Sequence, residues 1–128
     1  MDLGAARGTP IQAASTGVVT TVRCNITPVE HGCDRDGSPQ TPGCGWYVDI
    51  EHPGGIITRY CHMGRQPEVR VGQTVAAGQL IGYVGSSGNS SGPHLHYEVH
   101  VNGNQSNEGA ISPAPFMKDH GAPIGAVN

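Results

Sequence analysis

Two histidines one residue apart, His94 and His96, open a stretch whose continuation, residues 95–101 (LHYEVHV), reads as a strand. Strand side chains alternate, so His94 and His96 share a face, about 6.6 Å apart along the strand. Glu98 and His100 continue that face. Leu95, Tyr97, Val99 and Val101 take the other and can fill a core. Two imidazoles on a polar face can both serve a metal, or one can bind metal while the other moves a proton. Alone, an H-x-H is more often a solvated strand face that happens to carry histidine. The surroundings of this one weigh the other way. Ser90-Ser91-Gly92-Pro93 leads straight into His94, and Pro93 fixes how the strand is entered. Upstream, His62 follows Tyr60-Cys61 at a strand end, and Asp2 lies further upstream still. A carboxylate and several imidazoles gathered by strands form the ligand set that zinc takes in catalytic sites. No spacing nominates His31, His52, His100 or His120 for a part in it.

The elements that must position these groups are strands. The chain has 128 residues with 20 glycines and 10 prolines, too little helix-forming material for long helices. Residues 17–23 (GVVTTVR) are β-branched and apolar. In residues 46–52, Trp46, Val48 and Ile50 alternate with Tyr47, Asp49 and Glu51. Pro53-Gly54-Gly55 then makes a turn, and residues 56–61 (IITRYC) return as the second arm of a hairpin. Residues 80–84 (LIGYV) form another short strand. The expected fold is mainly β: one antiparallel sheet or sandwich domain with a substrate groove and at most a turn or two of helix. The polar stretch at 25–44 is long for a compact domain, which suits a loop that is functional, stapled or both. Residues 85–93 form a second loop with no core-forming residue. Gly82, Gly85, Gly88 and Gly92 read as turn and loop residues, because a phosphate cradle needs a helix behind it and here a strand follows. Trp46, Tyr60 and Tyr97 read as packing residues, although a tyrosine hydroxyl near a metal could help hold an oxyanion. Asp34 and Asp36 read as a solvated loop.

Composition excludes several classes. A net charge of −3 gives no nucleic-acid footprint and no polybasic membrane patch. No apolar run is long enough to span a membrane, and no leader follows Met1. The four cysteines form no C-x-x-C pair, so a structural zinc knuckle is not expected. An even count in a small, loop-rich domain favours disulfides and an oxidising compartment over free thiols. Of three possible pairings, Cys33–Cys44 closing the loop and Cys24–Cys61 tying two strand ends are expected.

Five segments, in order, resemble the lysostaphin/LytM-type zinc metallopeptidases that cleave peptidoglycan. Residues 2–14 resemble the family's Asp-containing ligand motif and the strand after it. Residues 47–63 (YVDIEHPGGIITRYCHM) resemble its hairpin ending in Y-x-H. Residues 71–88 resemble its V-x-x-G-x-x-V-x-x-G segment, and residues 91–98 (SGPHLHYE) its S-x-G-P-H-L-H signature. Residues 113–117 resemble the usual end of the domain. The resemblance implies a peptidase domain over residues 1–117 and a tail over 118–128. It implies that Asp2 and His96 hold zinc, that His62 and His94 are the catalytic histidines, and that the substrate is a stem or crossbridge peptide of the cell wall. It further implies a secreted or cell-envelope monomer.

In the family the first zinc ligand is a His four residues before the Asp, which falls ahead of Met1. The expectation for the chain as given is therefore weak zinc binding and little activity. The alternative is a degenerate, non-catalytic domain that binds the wall or activates another hydrolase. A biotinyl- or lipoyl-carrier-like domain would share the V-x-x-G-x-x-V-x-x-G pattern. It needs a lysine at a hairpin tip, and the only lysine is Lys118.

Overall fold

A computed structural model describes residues 2–101 and the backbone of residues 110 and 111; the side chains of residues 2 and 3 lie outside the description. Among the described residues nine strands run β1 (Asp2–Gly4), β2 (Pro10–Gln12), β3 (Gly17–Asn25), β4 (Gly45–His52), β5 (Ile56–Met63), β6 (Thr74–Val75), β7 (Leu80–Tyr83), β8 (His94–His100) and β9 (Ala110–Ile111). One 3-10 turn, Val29–His31, is the helical element among the described residues. The mainly β expectation holds. The tail over 118–128, the segment 113–117 and His120 lie outside the described residues.

The large sheet has the order β1-β8-β5-β4-β3-β6, with β9 also paired to β8; β2 and β7 form a second, two-stranded sheet. Every pairing is antiparallel. The small sheet covers one face of the large one. Ile11 and Ile81 join Val19, Val48, Ile50, Tyr60, Leu95, Tyr97 and Val99 in a single buried cluster. Tyr60 and Tyr97 are register partners whose rings pack at 5.2 Å on this covered face. That agrees with the packing reading and puts both rings on the face opposite His94 and His96. Trp46 also packs against this cluster.

Burial of Leu95, Tyr97 and Val99 fixes the register of β8. Each such side chain gains about 1.5–3 kcal/mol from burial, and a one-residue slip would expose all three. The same constraint keeps His94 and His96 on the open face.

The disulfides are Cys24–Cys33 and Cys44–Cys61, not the expected pairs. Strand order supplies the reason. Cys24 lies on β3 and Cys61 on β5, with β4 between them. Two inter-strand steps come to about 9.6 Å, beyond the Cα separation of about 7 Å that a disulfide spans. Cys44 immediately precedes β4, the neighbour of β5, and its Cα lies 5.2 Å from that of Cys61. The turn at Val29–His31 brings the chain back so that Cys33 meets Cys24 at 5.7 Å.

Candidate active site

The open face of β8 and β5 holds a cleft of about 540 Å³ lined by His62, His94, His96 and Glu98, with Cys44 and Ser90 on its walls. The His62 ring centroid lies 4.8 Å from that of His94 and 5.8 Å from that of His96. Three of the four residues singled out in the sequence are therefore together. The fourth, Asp2, is the register partner of His96 on β1, and its side chain lies outside the described residues. Among the described residues no three His, Cys, Asp or Glu side chains form a metal cage.

His62 reaches the cleft through a defect in its strand. Strict alternation from Tyr60 would send His62 to the covered face and Met63 to the open one. Instead, Trp46 pairs with Met63 and Val48 with Tyr60, so β5 spends three steps where β4 spends two. This β-bulge lets His62 line the cleft while Met63 is fully buried in the core. His62 absorbs the bend with φ 66°, the left-handed region, which costs a non-glycine residue roughly 1–2 kcal/mol. Its backbone N–H donates to the Cys44 carbonyl at 2.8 Å, so the neighbouring disulfide helps hold the bulge.

The loop at residues 85–93, expected to carry no core-forming residue, is an orienting device. Ser86, Ser87 and Ser90 are all buried. The Ser87 hydroxyl donates to the Met63 carbonyl at 2.6 Å and accepts the Trp46 N–H at 3.1 Å. The Ser87 carbonyl accepts from His62 Nδ1 at 2.6 Å. His94 Nδ1 lies 2.8 Å from the Gly92 carbonyl and 3.2 Å from Ser90 Oγ. Carbonyls only accept, so both rings carry their proton on Nδ1 and Nε2 is the basic nitrogen of each. The serines at positions 86, 87 and 90, ahead of the Gly92-Pro93-His94 turn, are the signal that could have revealed this role. Gly88, at φ 75°, lets the loop press against Gly43 and Gly45 at distances that leave no room for a Cβ.

His96 is set differently. Its Nε2 lies 2.7 Å from Glu98 Oε2, and His100 Nε2 lies 2.8 Å from Glu98 Oε1. The hydrogen bond from His96, aided by that from His100 and by the charge of Arg59, holds the Glu98 carboxyl down at about 2 against the opposing effect of burial. Glu98 is thus a carboxylate that only accepts, and both imidazoles donate to it. A neutral His96 that donates from Nε2 carries its lone pair on Nδ1. An imidazole whose other nitrogen is tied to a carboxylate is a well-prepared metal ligand. On that chemistry, His96 fits zinc.

The other described histidines, His31, His52 and His100, do not line the cleft. His52 is buried between the Thr16 carbonyl and the Thr58 hydroxyl, each at 2.8 Å. His31 bonds its neighbour's carbonyl at 2.9 Å within the 25–44 loop. That loop is pinned rather than merely solvated. Asp36 takes a two-pronged bond from Arg7 at 2.8 and 2.7 Å, and Asp34 accepts from Trp46 Nε1 at 2.8 Å.

Comparison with known proteins agrees with this geometry. The model for peptidase family M23 matches residues 1–108. The chain is 41% identical over 96 residues to the peptidoglycan DD-endopeptidase ShyC of Vibrio cholerae, covering 75% of this chain and 18% of that protein. It superposes on the catalytic domain of the antimicrobial peptidase lysostaphin from Staphylococcus simulans with a TM-score of 0.72 and 34% identity, covering 91% of this chain and 76% of that one. A zinc-containing peptidase from Vibrio cholerae gives a TM-score of 0.63 at 33% identity, covering 80% of this chain and 26% of that one. The chain spans about a fifth of the length of the curated relatives it matches.

Proposed function

The chain belongs to peptidase family M23, and from that premise we propose that it is a zinc metallopeptidase hydrolysing peptide bonds of bacterial peptidoglycan, in a stem peptide or a crossbridge. One observation carries the reading: His62, His94 and His96 meet in one cleft, two with Nε2 basic and the third with its lone pair on Nδ1.

In this proposal Asp2 and His96 hold the metal, and His62 and His94 are the catalytic pair. Bound there, zinc would polarise the scissile carbonyl and acidify the attacking water. His62 and His94 take up the proton of the water and return it to the leaving amine. Their basic Nε2 atoms suit that exchange near neutral pH, which contributes about 10²–10⁴-fold to rate. The bonds to the Ser87 and Gly92 carbonyls keep each ring from turning its protonated nitrogen to the substrate. The disulfides support an extracytoplasmic location, where the wall is found. We take the peptidase unit as residues 1–117, followed by a tail.

The test is zinc content and wall hydrolysis of the intact gene product. One zinc per chain, with new amines released from purified wall, is the expected result. Absence of both, with binding to wall retained, would replace the catalytic reading by a wall-binding one.

A further inference from the structure

The cleft does not end at His96. On the open face of the large sheet, Asp49 on β4, Arg59 on β5 and Glu98 on β8 are successive register partners. Directly paired residues share a face, so the three side chains form one row across three strands. Asp49 is the inner end, with its side chain 1% exposed. Its two oxygens accept from Arg59 Nε at 2.8 Å and Nη2 at 2.9 Å, a fork that fixes the plane of the guanidinium. The Tyr47 ring lies 5.2 Å from Arg59 Cζ and covers it. Arg59 Nη1 faces Glu98 Oε1 at 3.7 Å. Glu98 then spends one oxygen on His100 and the other on His96.

We propose that Asp49, Arg59 and Glu98 are positioning residues that hold His96 in the single tautomer, and the single ring orientation, that presents Nδ1 to a metal. The inference rests on the zinc reading above for the identity of the metal, and on this geometry alone for the tautomer.

The energetics favour a positioning role over a stabilising one. Buried ion pairs are weak contributors to stability, and apolar side chains of similar volume often replace them without loss. The domain holds few charged residues, 13% of the chain, and Asp49 is the fully buried carboxylate among those described. An apolar row would fill the same space but leave Glu98 free to rotate. His96 could then flip or exchange its proton between nitrogens. A carboxylate pinned by Arg59 and His100 denies it that freedom, and Asp49 denies it to Arg59.

The experiment reads imidazole nitrogen chemical shifts in the metal-free chain, labelled at histidine. Wild type should show His96 solely as the Nε2–H form. Two variants test the row: Glu98→Gln, close in shape, and the double variant Asp49→Leu/Arg59→Met, which removes both inner charges together and so strands neither. Both should retain the amide spectrum of β5 and β8. Both should show His96 as a mixture of tautomers, with zinc affinity about 10–100-fold weaker. A His96 that keeps one Nε2–H tautomer in both variants, with wild-type zinc affinity, would overturn the proposal and leave the row a packing feature. Zinc affinity is compared in the intact gene product, where failure of wild type to take up zinc would count against the peptidase reading only, because the metal-free spectra decide the row by themselves.

Discussion

His62 carries opposing demands. Its ring must reach the cleft, and its backbone must occupy a conformation that favours glycine. Replacing it separates the two. His62→Ala keeps the left-handed strain and loses the imidazole. His62→Gly loses the imidazole and the strain. Both should lower wall hydrolysis by about 10²–10⁴-fold at unchanged zinc content. His62→Gly should be about 1 kcal/mol more stable than His62→Ala, as read by denaturant unfolding. Equal stability would mean that the bend at residue 62 stores no strain. His52 shows the opposite case, a histidine tuned for structure. Burial pushes its imidazole below the ordinary value, and the bond to the Thr16 carbonyl only partly opposes that. Above about pH 6.5 both folded and unfolded chains hold it neutral, and its contribution to stability is complete. As pH falls below that point the unfolded chain takes up the proton first, so stability is lost towards the lowered folded value. The melting temperature should therefore fall as pH drops below about 6.5, and the fall should be shallower in His52→Gln. An identical slope in the variant would remove His52 as its source.

The two disulfides close loops of similar length, with sequence separations of 9 and 17, so each should contribute about 3 kcal/mol on chain-entropy grounds. Their consequences for chemistry should differ. Cys44 lines the cleft and its carbonyl holds the His62 N–H, whereas Cys24 and Cys33 only pin the far end of the loop. The pair of changes Cys44→Ser/Cys61→Ser should lower kcat as well as stability, and Cys24→Ser/Cys33→Ser stability alone. Comparing kcat well below each variant's melting transition checks this, and equal kcat values would contradict it. These pairings also mark where the sequence stopped being legible. The alternation in β4 and β8 gave the strands, the face shared by His94 and His96, and the inward turn of Tyr97. It could not reveal a bulge, because period two assumes none, and so gave no reason for His62 to face the cleft. Strands of two or three residues such as β1, β2 and β6 are too short to carry a period. Disulfide pairing depends on β4 lying between β3 and β5, a fact of topology that cysteine spacing does not contain. The burial of Ser86, Ser87 and Ser90 was hidden for a related reason: serine is mostly a surface residue, and here backbone groups meet the Ser87 and Ser90 hydroxyls while the Ser86 hydroxyl pairs with that of Ser90.

Among the described residues the small sheet covers one face of the large sheet, and the cleft on the other face takes its shape from loops. Residues 25–44 and 85–93 are not independent walls. Gly37 N–H donates to the Ser86 carbonyl at 2.9 Å and Asn89 N–H to the Gly43 carbonyl at 2.8 Å, which joins the loops into one rim. The inner loop orients the histidines through Ser87, Ser90 and Gly92, and changes there should damage chemistry. The outer loop reaches the cleft mainly through Pro39, Gly43 and Cys44, and changes between its anchors should alter what fits. Residues 38–42 lie between the Gly37 contact and the Gly43 contact and can be exchanged with both joints kept. Exchanging those five positions for the matching segment of a relative that cuts a different crosslink should move the preferred cleavage site while the melting temperature stays within a few degrees. Mass spectrometry of the wall fragments reads the site directly. An unchanged cleavage pattern with retained activity would mean that selectivity resides in the inner loop and the strand face. In that case Asn89 and Ser91, which also line the cleft, become the positions where the substrate is chosen.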